Sequence, residues 1–322
     1  KLKPEFTDDS KIKWSRSLRQ SAYNNVEFQF DRNKIAKSLY RPFVKQHVYY
    51  DKLLNHERSQ LPSIFPTPNH DNIGFLITSP GESVSPSTLA TTLLPDLHVL
   101  ATSQFFPRFT WAHTNADGEL FDEGDVIKHG SELSIYGKIG VVVDGYVRVD
   151  NVTDEIKKIY RNALGTNITG DDIFHFVYGK LHDPEYRTKY AADLKKVLPH
   201  IETPASRTEF DKFAAAGQEL LELHVNFEDV EPWPLTVDVT GDEDDRETWR
   251  VTKMAWAKKK DPETGKNTND VTRLKYNKQV TISDIPVEAD EYMLSSRSAL
   301  DLTPFWWTPD IQPGWAGKKG NL

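Results

Sequence analysis

The sequence predicts an α+β fold, with mixed strand lobes flanking a helical segment. Three observations predict it. Short apolar or alternating segments, bounded by Gly, Pro, Asn and Asp, recur through the first 150 residues and return after Trp233. Between them, over roughly residues 153–227, apolar residues fall at three- and four-residue spacing behind helix-start signals. A hydrophobic fraction of 38% over 322 residues is enough for a core that needs no covalent staples. The expected organisation is a basic arm and strand-rich lobe over residues 1–150, a helical segment over 151–230, a strand meander over 231–301 and an atypical tail of no assigned role over 302–322.

Each element has its own signal. Residues 10–19 read as a short helix or an extended arm. Tyr40-Arg41-Pro42-Phe43 must be partly extended, because a proline disfavours helical geometry in the residue before it. Residues 44–50 then read as a strand, and Pro62, Pro66 and Pro68 punctuate a loop. Residues 73–78 form an apolar strand, residues 97–109 a second strand region broken by Pro107, residues 117–138 a loop, and 139–149 another strand. Thr169 with Asp172 has capping-box spacing, and Ile173, Phe174, Val177, Tyr178 and Leu181 follow on one helical face. Asp183-Pro184 caps a second helix, whose stripe of Tyr186, Tyr190, Leu194 and Leu198 runs to Pro199. Thr208 opens a third, with Phe210, Phe213, Leu220, Leu221 and His224 facing the core. After Trp233, strands are expected at 235–239, 249–256, 271–276 and 279–282, with Asp261-Pro262-Glu263-Thr264-Gly265 as a turn.

Charge is uneven. The total is -8, yet residues 1–60 hold 13 Lys+Arg against 7 Asp+Glu, and residues 246–280 hold 10 against 4. Residues 202–245 hold 2 against 13. The two basic stretches permit an anionic partner, and the acidic block would limit where a polyanion docks. Zero cysteines exclude disulfides, thiolate nucleophiles and every Cys-based metal site. No apolar run spans a membrane and no apolar signal segment opens the chain, so no membrane partner and a cytoplasmic location are expected. The chain opens with Lys1 and its two methionines are Met254 and Met293, which suggests a processed product or a piece of a longer polypeptide.

Catalytic signatures are missing. There is no Walker-type loop, Gly-x-Gly-x-x-Gly, His-Glu-x-x-His or Gly-x-Ser-x-Gly, nor the Asn/Asp-Pro-Pro-aromatic motif of adenine amino-methyltransferases. Pro95-Asp96 with Glu155-Ile156-Lys157 has the letters of a nuclease motif, as expected by chance in a chain that is 27% charged. His175 and His182 lie on one helical face without further ligands at metal spacing, and read as packing or surface histidines. The run Asp242-Glu243-Asp244-Asp245 lacks EF-hand spacing and reads as a solvated turn.

Several segments, in order, carry a resemblance: IKWSRSL (12–18), SLYRPFVKQHVYYD (38–51), LPSIFPTP (61–68), LPDLHVLATSQFFPRF (94–109), IFHFVYGKLHDPEYRTKYAADLKKVLPHI (173–201) and ISDIPVEADEYMLSSRSALD (282–301). Together they resemble the C-terminal target-recognition domain of type ISP restriction–modification enzymes. The resemblance implies a target-recognition-domain-like fold within a single polypeptide that also holds a nuclease, an ATP-driven translocase, a coupler and an adenine methyltransferase. It implies that this domain and the methyltransferase clasp double-stranded DNA, while S-adenosylmethionine, ATP and Mg are cofactors of the parent enzyme and none belongs to this chain. The resemblance stops after SSRSALD (295–301), where LTPFWWTPDIQPGWAGKKGNL replaces an expected amphipathic helix.

On this reading the chain is a non-catalytic, sequence-specific DNA-binding domain. Lys11, Lys13, Arg16, Arg19 and Lys258, Lys259 and Lys260 are the expected phosphate contacts. Arg41, Lys45, Gln46, Gln104 and Arg108 are the expected base readers. The competing role for Arg41 is an ion pair pinning the Tyr40–Phe43 turn, and for Trp14, Phe43 and Phe106 it is core packing. Eight Trp and twelve Tyr in an acidic chain also suit a carbohydrate- or protein-binding module. A metal-dependent hydrolase and a structural domain bracing a methyltransferase complete the alternatives.

Overall fold

The structure, a computed structural model, describes residues 14–55, 58–114, 134–251, 253–294, 297, 298 and 300. Two compact units emerge. One comprises residues 28–230; the other joins α1 (Arg16–Tyr23) with the described residues from 231 onward. The expected tail over 302–322 and most of the 117–138 loop lie outside the described residues, as do Lys11 and Lys13.

Among its described residues the 28–230 unit holds three small sheets. β1 (Ile35–Arg41) pairs antiparallel with β2 (Val44–Tyr49) and parallel with β5 (Leu94–Pro95). β3 (Gly74–Thr78) lies between β4 (Thr88–Thr91) and β6 (Ser103–Pro107), antiparallel to both. β9 (Tyr146–Asp150) lies between β7 (Phe109–His113) and β8 (Val142–Val143). The expected single strand at 139–149 is therefore a hairpin. Asp144 and Gly145 both have positive φ, the backbone that an Asp-Gly two-residue turn requires. The strand region at 97–109 begins later than expected, at Ser103, and β7 resumes after Pro107.

All residues of β3 and β4 are buried, so that sheet needs cover. Of the helices α2 (Leu61–Ile64), α3 (Asp154–Leu164), α4 (Gly170–His182), α5 (Pro184–Lys189) and α6 (Arg207–Val225), the last three supply it, while α2 lies against β7 and α3 against α4. The Thr169 hydroxyl accepts from the Asp172 N–H while Asp172 accepts from the Thr169 N–H, completing the expected capping box. Phe174, Tyr178 and Tyr186 are buried against Phe75 and Ile77, with Tyr190 and Leu220 packed at the edge. Phe176 and Phe210 form a second cluster with Tyr160 and Ile173, against which Phe213 packs. Each fully buried aromatic of this kind contributes about 2–3 kcal/mol.

α4 and α6 cross at contact distance because both carry glycine there. A Cβ on Gly217 would collide with the His175 carbonyl, and one on Gly179 with that of Phe213. The second expected helix is shorter than its stripe. α5 ends at Lys189, and the chain continues as turns whose bonds, such as Leu194 N–H to Tyr190 O at 2.9 Å, do not form an uninterrupted run.

In the other unit the meander is present. Its order is β10 (Thr236–Val239), β13 (Val280–Ser283), β12 (Asn267–Lys275), β11 (Ala255–Lys260). Met254, Trp256, Leu274 and Ile285 form its core. The strand expected at 249–256 starts only at Ala255. Before it, residues 246–249 make a 3-10 turn capped by Asp245, and Asn277 Nδ2 donates to the Thr248 and Arg250 carbonyls that a neighbouring strand would otherwise bond. β14 (Met293–Leu294) and β15 (Arg297–Ser298) add a small hairpin. The α+β class expected from the sequence is the observed one.

Candidate nucleic-acid interface

The meander carries a two-stranded arm. Trp256 of β11 faces Leu274 of β12, but the next residue, Ala257, faces Asp270. Residues 271–273 are thus an insertion on one strand, a bulge that re-aims the ladder beyond it. Past the bulge, among the described residues, the two strands pair only with each other: Lys258 with Asn269, Lys259 with Thr268 and Lys260 with Asn267. All six are exposed, as is the turn from Pro262 to Lys266.

Directly opposed residues share a face and successive residues alternate. One face therefore presents Lys258, Lys260, Asn267 and Asn269, and the other presents Lys259 and Thr268. The contacts agree: Lys258 Nζ donates to Asn269 Oδ1 at 2.6 Å, and Lys259 Nζ lies 3.7 Å from Asp270 Oδ1. The tip is organised by its own chemistry. Asp261 Oδ1 accepts from the N–H groups of Glu263 and Thr264 and from the Thr264 hydroxyl, which holds its carboxyl below the usual range. The Asp261 N–H donates to Lys266 O at 2.9 Å, and Gly265 takes the left-handed φ of +65° that closes the turn.

The other expected contacts divide by burial. Arg16 is exposed and Arg19 half-buried on α1, whose N-cap is Ser15. Gln46 on β2 and Gln104 on β6 are exposed, on different sheets. Lys45 is half-buried; its Nζ pairs with Glu228 at 2.7 Å and lies 4.7 Å from the centre of the Phe227 ring.

Two expected base readers require correction. Arg108 is 1% exposed. Its Nε donates to Asp171 Oδ1 at 2.8 Å and its Nη1 to Asp150, which also accepts from Lys157 Nζ at 3.1 Å. Asp171 accepts in addition from the Ser134 hydroxyl and the Ile135 N–H. This guanidinium is engaged inside the fold and cannot reach a base edge. Arg41 is 4% exposed, bonded to Asp96 at 2.9 Å and stacked 3.9 Å from the Tyr40 ring. Its role is the ion pair that pins the Tyr40–Phe43 turn, where Phe43 has a φ of +58°.

Lys266, Asn267 and Asn269, which the sequence did not single out, are exposed on the same arm. A signal was present: once Asp261 to Gly265 is read as a turn, the flanking residues must pair, placing the asparagines opposite the lysines. His175 and His182 serve packing, as expected. His175 is buried and bonds the Tyr136 hydroxyl, and His182 Nδ1 donates to Tyr178 O at 2.9 Å. Among the described residues no group of three His, Asp or Glu converges as a metal cage, and no helix is long and apolar enough to cross a membrane.

Small sheets braced by helices and a two-stranded cationic arm make up the described structure. Residues 1–302 match the Type ISP C-terminal specificity domain, and the chain belongs to that family. Comparison with curated proteins finds no match. Among solved structures the chain resembles the DrdV–DNA complex, at 29% identity and a TM-score of 0.71, covering 93% of this chain and 27% of that one. It also resembles a nuclease-deletion mutant of the Type ISP restriction-modification enzyme LlaGI in complex with a DNA substrate mimic, at 29% identity and a TM-score of 0.64, over 94% of this chain and 23% of that one. The ATP-dependent Type ISP restriction-modification enzyme LlaBIII, bound to DNA, shares the fold, with 24% identity, a TM-score of 0.68, and coverage of 91% and 17%. The chain thus spans about a quarter or less of the length of these proteins.

Proposed function

We propose that this chain is the DNA-recognition part of a restriction–modification polypeptide, without catalysis of its own. Family membership over residues 1–302 carries the reading, and the DNA-bound state of the similar structures supports it. The methyltransferase of the same polypeptide is the partner that completes the grip on the duplex. Adenine methylation and ATP-dependent cleavage, with S-adenosylmethionine, ATP and Mg, belong to the other domains, and the enzyme works in the cytoplasm.

Lys258, Lys259 and Lys260, with Arg16 and Arg19, supply positive charge to the DNA, and Lys11 and Lys13 remain candidates on sequence alone. Lys45, Gln46 and Gln104 remain candidate readers. An acidic protein binds a polyanion only where its positive charge is concentrated, and the arm of β11 and β12 provides such a place. The experiment is a titration of duplex DNA with the chain at several salt concentrations. Neutralising about six phosphates gives a slope of log affinity against log salt of roughly -5. Salt-independent binding, or none to any duplex, refutes the reading and favours a domain that only braces the methyltransferase.

A further inference from the structure

We infer that the arm formed by β11 and β12 is a specificity element: it enters the major groove with the Asn267 and Asn269 face towards the bases. The inference rests on the DNA-binding reading and deepens it by assigning base readout to residues that the sequence did not single out.

Size comes first. A two-stranded ribbon has strands about 4.8 Å apart, and with its side chains it matches the ~12 Å major groove and exceeds the ~6 Å minor groove. Reach comes second. Beyond the bulge, four paired positions rising ~3.3 Å each, plus the turn, span more than the ~8.5 Å depth of that groove. Among the described residues no third strand pairs along either edge of the arm here, and the six residues from Lys258 to Lys260 and from Asn267 to Asn269 are exposed.

Chemistry then separates the faces. A carboxamide can accept from adenine N6 and donate to N7 at once, and an ammonium can donate to guanine O6 and N7 or to a phosphate. The face with two asparagines framed by Lys258 and Lys260 offers both kinds of group. The opposite face offers Thr268 and Lys259, the latter beside Asp270, a poorer match to an anionic surface. Asn267 has no side-chain hydrogen bond to another described residue, and the Asn269 oxygen is oriented by Lys258. The tip is held by the Asp261 bonds, so little backbone freedom is lost on docking. The three lysines, grouped as equivalent phosphate contacts in the sequence reading, are therefore not equivalent.

The test is selection of preferred duplexes from a randomised pool by the chain and by its N267A, N269A and K259A variants, followed by titration of the preferred site and of single-base changes in it. The exposed positions make folding defects unexpected, and circular dichroism checks this. Each asparagine variant is expected to lose about 10- to 100-fold of the discrimination for one adenine, with affinity for unselected DNA changed less than about threefold. K259A is expected to keep the parent's preferred site. Asparagine variants with an unchanged preferred site overturn the inference, as does a parent chain that binds all duplexes equally, although the latter leaves DNA binding standing. A parent chain that binds no duplex removes the function proposed above and this inference together.

Discussion

The interior around Arg108 and the arm of β11 and β12 use cations in opposite ways. In the interior, Arg108 and Lys157 are 1% and 4% exposed and each is matched to carboxylates on other elements. On the arm, Lys258 and Lys260 are exposed, on a face whose remaining groups are amides. Local composition does not distinguish the two. What distinguishes them is whether acids from distant parts of the chain converge: Asp150 and Asp171 are 42 and 63 residues from Arg108. Cations enclosed by acids hold a fold together. Cations on the ribbon stay exposed to solvent.

The largest expected effect is therefore in the interior. Arg108→Ala leaves Asp150 and Asp171 without their shared guanidinium, and removing one partner of a buried pair costs about 3–5 kcal/mol. Urea unfolding measures it. A loss below about 1 kcal/mol would mean that the network is no more structural than a surface pair and would erase the contrast with the arm. Next comes the crossing of α4 and α6. Gly217→Ala places a methyl group on the His175 carbonyl, so the helices must separate, at a cost of roughly 1–3 kcal/mol by the same assay.

These predictions also show how far the sequence could be read. The capping box at Thr169, the aromatic stripe from Phe174 to Tyr186, the Asp261–Gly265 turn and the meander were legible, because each is specified by neighbours a few residues apart. The overextended second helix shows the limit of periodicity. Tyr190 and Leu194 do pack at the core edge, but successive turns keep the same three- and four-residue spacing as a helix. Arg108 and Arg41 were misread for a different reason. Whether a guanidinium faces water depends on the path of the chain between it and its acids, which no local pattern contains. The arm was half legible: its lysines stood out as a run, while the asparagines gained meaning only through cross-strand register.

Acid should sharpen the comparison next. Burial pushes His182 down to about 4 and His224, further lowered by neighbouring His182, down to about 3. In the unfolded chain both titrate near ~6.5. Above that value both states hold the rings neutral and stability is complete. As pH falls from ~6.5 towards 4, the unfolded chain takes up protons that the folded one refuses, and stability falls by roughly 1 kcal/mol per pH unit for each ring. Urea midpoints between pH 7 and pH 5 test this. Replacing His224 with Asn should remove part of the slope, whereas a pH-independent midpoint would mean that the pocket around Tyr178 admits the charged ring.

The smallest effect on stability should come from the arm, and that smallness is informative. Replacing Lys258, Lys259 and Lys260 together with Ala removes three exposed ammonium groups, one bonded to Asn269 and one 3.7 Å from Asp270. Exposed contacts of this kind contribute between nothing and about 1 kcal/mol, so the urea midpoint should move by less than that. DNA binding should respond far more. Each lysine that meets a phosphate lowers the magnitude of the salt slope by roughly 0.9 when removed, and affinity for all duplexes falls together. Lys258→Ala and Lys260→Ala singly should then each weaken binding, while Lys259→Ala, on the face shared with Asp270, should weaken it least. Equal losses from all three would mean that the arm meets DNA as a diffuse charge without a preferred face. A large stability loss with no change in salt slope would mean that these lysines, like Arg108, serve the fold, and the distinction between the two regions would fail.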